Sequence, residues 1–325
     1  MLGAVLATIL FAFSAVSGAR VANLMGGTEA NFWRLSLATL FLAALAHGFG
    51  AGLAGNGFYI FILSGCIGFG LGDVSLFQAY PRLGSRLTIL IVHCLAAPFA
   101  GVVEWLWLGT TLTTAQMACG VIILAGVAIA LAPGHASHEA RRQFSIGIFF
   151  AVLGAVGQGG GVVLSRKAYE VCALAGQPMD GITAAYQRII GGVILSGLAL
   201  LVVKREFFFA RAGGRQSPQA TTEAAKDEGS KSPSLAPGEM STAEKWRQSG
   251  KWIAFNALAG PTLGVSCYQW ALKTTPSAVV LPIVALSPLV VMPFARWLEQ
   301  ERPSKRSTLG AVIAVAGAVA LALAK

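Results

Sequence analysis

LGAVLATILFAFSAVSGARVANL, residues 2–24, is almost wholly apolar and carries a single charged side chain, Arg20. A bilayer's hydrocarbon core is about 30 Å thick and takes roughly 20 residues of helix at 1.5 Å each. This stretch is long enough to cross it. Nine more follow: residues 32–46, 58–79, 87–108, 115–131, 144–164, 182–203, 252–272, 278–297 and 309–323. The second is short and is expected to extend into its flanks. Little is left over to fold in water, so the fold class predicted is an all-α membrane protein with ten transmembrane helices.

Composition agrees. Hydrophobic residues make up 55% of the 325 and charged residues 12%, against about 25% charged in soluble domains. Glycine is abundant, at 39 residues, and small residues let membrane helices approach closely where no hydrophobic effect drives them together. The net charge of +10 does not point to nucleic acid, because the basic residues lie in connectors and no basic–aromatic surface accompanies them. Of the five cysteines, all but Cys172 fall in apolar stretches and none form a CxxC, which reads as packing and not as disulfides or zinc. The first stretch has no basic segment before it, and is read as a span and not a cleaved signal. All seven tryptophans fall at or beside predicted span ends, where an indole suits the interface.

Two connectors stand out. Residues 204–250 are rich in Gly, Ser, Pro, Ala, Glu and Lys, a disordered loop by composition. Residues 133–143 divide the chain into 1–132 and 144–325, and contain His135 and His138; two histidines in a loop with no further ligands do not make a metal site. The two parts echo each other. A shift of 190 residues aligns Pro98 with Pro288, Trp107 with Trp297, Gly120 with Gly310 and Leu131 with Leu321. Phe32-Trp33-Arg34-Leu35 parallels Tyr186-Gln187-Arg188-Ile189, and Gln78 parallels Gln269. Five spans is an odd number, so the second set would start on the opposite side. The expectation is two inverted five-helix repeats with a site at the membrane midplane.

These features resemble the EamA-type branch of the drug/metabolite transporter superfamily, over nearly the whole chain except 204–250. The second copy reads Ser287-Pro288-Leu289, then Leu298-Glu299-Gln300-Glu301-Arg302-Pro303, then Leu309-Gly310-Ala311. The first reads Ala97-Pro98-Phe99, then Leu108-Gly109-Thr110-Thr111-Leu112, then Cys119-Gly120-Val121, with Thr111 where the family's turn glutamate, matched by Glu301, would stand. Arg34 and Arg188 match the family's basic residue opening the second helix of each repeat. The resemblance implies a secondary transporter with a central cavity.

Ionisable groups within spans are costly, by about 2.5–3.5 kcal/mol on insertion scales, so each is a candidate. Asp73, in Gly-Leu-Gly-Asp, is read either as a group that binds a cation or exchanges a proton, or as an interhelical hydrogen-bonding group. His93, five residues before Pro98, is read as a donor to a carbonyl freed by the proline, or as a relay or substrate group. Gln78, Gln158 and Gln269 suit a polar metabolite or helix–helix bonding equally. Arg34 and Arg188 sit near span ends, where they are read either as snorkelling to the interface or as an anion-binding pair of symmetric cations flanking a cavity. Pro98 and Pro288, with Gly159 and Gly160 of the run Gly157 to Gly161, are the helix-break candidates.

The odd-numbered connectors hold seventeen Lys and Arg and the others four, which places both termini outside and the long loop in the cytoplasm. No ATP-binding motif occurs. The function expected is integral-membrane transport of a small-molecule substrate, in the plasma (inner) membrane, with no cofactor, no metal and no nucleic acid; the partners are substrate and lipid bilayer, and the oligomeric state is open. Two alternatives are a membrane-embedded enzyme on a lipid-linked substrate, with Asp73, His93 and Glu104 as its raw material, and a non-transporting scaffold whose 204–250 loop recruits a partner.

Overall fold

A backbone surrounded by lipid must satisfy its hydrogen bonds within itself, which leaves the helix as the only use for long apolar segments like these. The computed structural model describes residues 2–108, 113–131, 138–212, 242–275, 277–299 and 304–323, and every regular element among them is helical. In order these are α1 (Leu2–Met25), α2 (Gly27–Phe49), α3 (Phe58–Gly65), a π-helical segment π1 (Cys66–Asp73), α4 (Val74–Leu108), α5 (Thr114–Leu131), α6 (His138–Leu174), α7 (Gly181–Ala212), α8 (Thr242–Ala257), a second π-helical segment π2 (Leu258–Gly264), α9 (Val265–Thr274), α10 (Ser277–Val284), α11 (Ser287–Leu298) and α12 (Lys305–Leu323).

Seven helical segments among the described residues are long and apolar enough to cross a membrane. One of them, Phe58–Trp107, has 50 residues, about 75 Å of helix at 1.5 Å per residue, and holds two of the ten predicted stretches. Its break is at Gly84, with φ 75° and ψ 171°, a backbone region that only glycine enters without strain. Gly84→Ala is therefore expected to lower stability by about 1–3 kcal/mol, read as the thermal unfolding midpoint of the purified protein. Residues 252–272 are helical but interrupted by π2, and 309–323 lie within α12. The short second stretch does extend, to Gly27–Phe49.

Contacts sort the helix termini into two ends. At one, Lys204 Nζ meets Glu29 at 3.1 Å, Arg86 donates to Ser307 at 2.8 Å, Ser85 Oγ donates to Glu299 at 2.9 Å, and Trp33 packs on Trp246 with centroids 5.0 Å apart. Among the described residues most connector arginines and lysines fall here, and we call it the basic end. At the far end the 50–57 loop is stitched to α7: the Ala51 N–H donates to Thr183 at 2.9 Å and Gln187 donates to the carbonyls of Gly52 and Ala54.

Several expectations are corrected. Part of the 204–250 loop is helical: α7 runs to Ala212 and α8 begins at Thr242, with Lys204 paired to Glu29 and Ser249 buried. Residues 213–241, 132–137, Thr111 and Glu301 lie outside the described residues. Pro98 does not break its helix; the non-helical residue inside α4 is Gly84. Gly159 and Gly160 do not break α6 either. The glycine run stays helical because it is packed: a Cβ on Gly157 would lie 2.6 Å from the Gly72 Cα, and one on Gly159 would lie 2.8 Å from the Ala96 carbonyl. The run's flexibility is suppressed by the close approach it permits. Pro288 does mark a break, opening α11 after the turn that ends α10.

Candidate functional site

The site begins with the helical spacing of α3, π1 and α4. Phe69, Asp73, Phe77 and Tyr80 recur at four-, four- and three-residue steps, which puts them along one face. That face turns inward: Phe69, Asp73, Phe77 and Tyr80 are all 5% exposed or less. Asp73 is the last residue of π1, and π-helical turns inside α-helices are a recurrent feature of functional sites.

Around Asp73 the neighbouring helices contribute polar groups. Arg34 of α2 forms an ion pair with it, Nη2 to Oδ2. The guanidinium is held from behind by Asn31, whose Oδ1 accepts from Nε at 3.0 Å; Asn31 donates in turn to Ser196 on α7 at 3.1 Å. The Arg34 Cζ lies 4.3 Å from the centre of the Phe77 ring. Gln158 of α6 donates to the other carboxylate oxygen, Oδ1, at 2.6 Å. An ion pair out of water persists when further hydrogen bonds support it, and here Asn31 binds the guanidinium and Gln158 the carboxylate. The cation that Asp73 meets is the chain's own.

Arg188 of α7 lines the same space, with its Cζ 5.2 Å from the Phe69 ring centre. His93 of α4 is there too, its ring 5.9 Å from that of Phe11. Its backbone partner is Val284 on α10, not a carbonyl of its own helix, and its Nδ1 is buried with no partner among the described residues. From π2 and α9 come Gly260, Pro261 and Tyr268. Together these groups line a cavity of about 80 Å³.

The chain thus has many apolar helices around a cavity with charged groups paired inside it, and comparison with known proteins identifies its family. A model of the EamA-like transporter family matches residues 1–132 and 232–323. The chain belongs to the EamA-like transporter family. It is an integral, multi-pass membrane protein of that family. No curated protein matches its sequence. A solved chain described only as "Crystal structure of protein" is similar at 18% identity, with a TM-score of 0.55, over 98% of this chain and 93% of that one; at this identity the likeness concerns the fold alone.

Of the predicted site residues, the structure brings Asp73, Arg34, Arg188, His93 and Gln158 to one cavity. The symmetric amides do not join them. Gln78 donates to Thr28 at 2.7 Å and lines a separate groove at the basic end with Arg82. Gln269 is fully buried against Ser165, at 3.4 Å, and tethers α9 to α6. Sequence reading missed the aromatic walls of the site, although the spacing of Phe69 and Phe77 about Asp73 contained them. It also missed Asn31, which is separated from Arg34 by three residues and so shares its face. Among the described residues no three His, Cys, Asp or Glu side chains gather as a metal set.

Proposed function

We propose that this member of the EamA-like family is a secondary transporter that moves a small metabolite or related compound by alternating access. In this reading ten helices cross the plasma (inner) membrane as two inverted five-helix halves, with both termini outside and the basic end in the cytoplasm. The observation that carries it is the cavity itself, to which helices from both halves of the chain contribute polar and charged groups: Arg34 and Asp73 from the first, the Gln158 amide and Arg188 from the second. Two further features support the inverted arrangement. Arg34 and Arg188, aligned by sequence, reach the same cavity, and a π-helical segment interrupts the helical run at each of two corresponding places, Cys66–Asp73 and Leu258–Gly264. Irregular helix at membrane depth is expected where it lines a site between repeats.

The far end is the gate that must open. Gln187 is fully buried and holds the 50–57 loop through its two donated bonds, at 3.1 and 2.9 Å. Arg166 holds the end of α9 through the carbonyls of Leu272 and Thr275. Gln187→Ala removes the first latch and is expected to raise the population open at the far end roughly tenfold, two lost hydrogen bonds being worth about 1–3 kcal/mol. Accessibility of a cysteine placed at Asn56 to an impermeant maleimide, in a background with the native cysteines replaced, reads this directly.

The function is tested by flux. The purified protein in proteoliposomes is expected to move a solute from a broad panel down its gradient or against a proton gradient. A folded protein that moves none of them would remove the transport reading.

A further inference from the structure

The charges in the cavity do not cancel. Arg34 has a charged partner: Nη2 pairs with Asp73, and Nε donates to Asn31. Asp73 is engaged in turn, one oxygen by Arg34 and the other by Gln158. Arg188 is different. It is 2% exposed, lines the same cavity, and its Nε is buried with no partner among the described residues. No carboxylate pairs with it among those residues. The cavity thus holds two guanidinium groups against one carboxylate. A buried charge without a partner is destabilising by several kcal/mol, and a ligand that supplies the missing charge removes that penalty.

The structure makes room for this group. Glycines stand where side chains would crowd it: a Cβ on Gly68 would lie 2.7 Å from the Arg188 Nη2, and one on Gly161 3.2 Å. Phe69 on one side and Tyr268, Leu281 and Val284 in the same wall are aromatic or apolar. We propose that Arg188 receives the charged group of the substrate, and that the substrate is a small organic monoanion: a carboxylate or sulfonate on the guanidinium fork, with an apolar or aromatic body against these walls. The assignment rests on the transport reading of the same cavity.

A second observation agrees with it. Toward the basic end, α1 and α8 line a groove of about 710 Å³ that carries Arg20, Arg247 and Lys251. Arg20 and Lys251 both sit over Trp252, 4.8 and 5.9 Å from its ring centre. The carboxylate in that wall, Glu299, is engaged by Ser85. With three cations to one carboxylate the groove carries a net positive charge, which raises the local concentration of anions.

The test uses the full-length protein and four probes of similar body: benzenesulfonate as a permanent monoanion, benzyl alcohol as a neutral, benzyltrimethylammonium as a cation, and phenyl phosphate at pH 8 as a dianion. Binding is read by calorimetry in detergent, and flux of the two impermeant monovalent probes in proteoliposomes. Benzenesulfonate is expected to bind roughly tenfold or more tightly than the other three, and Arg188→Gln to abolish that preference. Arg188→Lys, which keeps the charge and loses the planar fork, is expected to give an intermediate loss. Equal or tighter binding of the neutral, the cation or the dianion would overturn the monoanion assignment, as would unchanged selectivity in Arg188→Gln. Charge selectivity of the unaltered protein decides the matter even if a variant fails to fold. Selective binding of benzenesulfonate without its flux would keep Arg188 as a monoanion-binding group and overturn its role toward a transported substrate. Flux of the cation alone would support transport and overturn the monoanion assignment. Absence of both binding and flux would overturn the assignment, and the broad solute panel would then decide the transport reading.

Discussion

Asp73→Ala is expected to lower the stability of the purified protein by about 3–5 kcal/mol, the range for removing one member of a buried ion pair. The expectation follows from what the substitution leaves behind. Arg34 is 5% exposed, and its remaining contacts are the Asn31 side chain and the face of Phe77. Neither carries a charge to balance it. Gln158 loses its 2.6 Å acceptor at the same time. Arg34→Met alone is expected to be similarly harmful, because it strands the carboxylate. The double variant Asp73→Ala with Arg34→Met is expected to be less destabilised than the sum of the two, since it removes both charges; coupling of about 0.5–3 kcal/mol is usual for residues in one network. Unfolding in detergent followed by tryptophan fluorescence measures all three. Strict additivity would mean that the pair is not coupled in the folded protein.

The second large effect concerns a place with no side chain. A Cβ on Gly65 would run into the Arg188 carbonyl, and one on Gly191 would run into that of Ile62. The α3 and α7 backbones touch at two reciprocal points, and because the obstructing atoms are main-chain, no rotamer change can relieve the clash. Gly65→Val is expected to destabilise by at least about 3 kcal/mol, at or beyond the upper end for overpacking, and to displace Arg188 from the cavity. Anion binding should therefore fall together with stability. Gly120→Ala is the matched control. It sits in α5 with nothing within 4 Å of its Cβ, so it is expected to be neutral or to stabilise slightly, by up to about 1 kcal/mol. Equal effects from the two substitutions would show that the close contact is not there.

The cavity was legible in the sequence where physics makes a residue conspicuous. Asp73, His93, Arg34, Arg188 and Gln158 are polar groups in apolar runs, and lipid makes each of them expensive unless it has a purpose. The errors came from treating position along the chain as position around the helix. Gln78 is five residues from Asp73, which at about 100° per residue turns it some 140° away; Phe77 and Tyr80, four and seven residues on, return to the same face. For Gln78 and Gln269 the sequence left metabolite binding and helix–helix bonding equal, and in the structure each ties helices together. Pro98 and the Gly157 to Gly161 run were read from local propensity, and close helix packing overrides it. The two π-helical segments left no such mark, since their glycines and the single proline, Pro261, also occur in ordinary spans.

Those two segments bear on how a binding pocket of this kind could reset. A π turn fits one extra residue into the winding, and moving that surplus along by a single position rotates the residues it passes by about 100°. Asp73 sits on the trailing edge of one such turn. A one-step slippage there would swivel its carboxylate off the Arg34 guanidinium while nearly every main-chain bond in the rod stays made, so the lock between two helices could be undone by a local screw motion, with no unravelling.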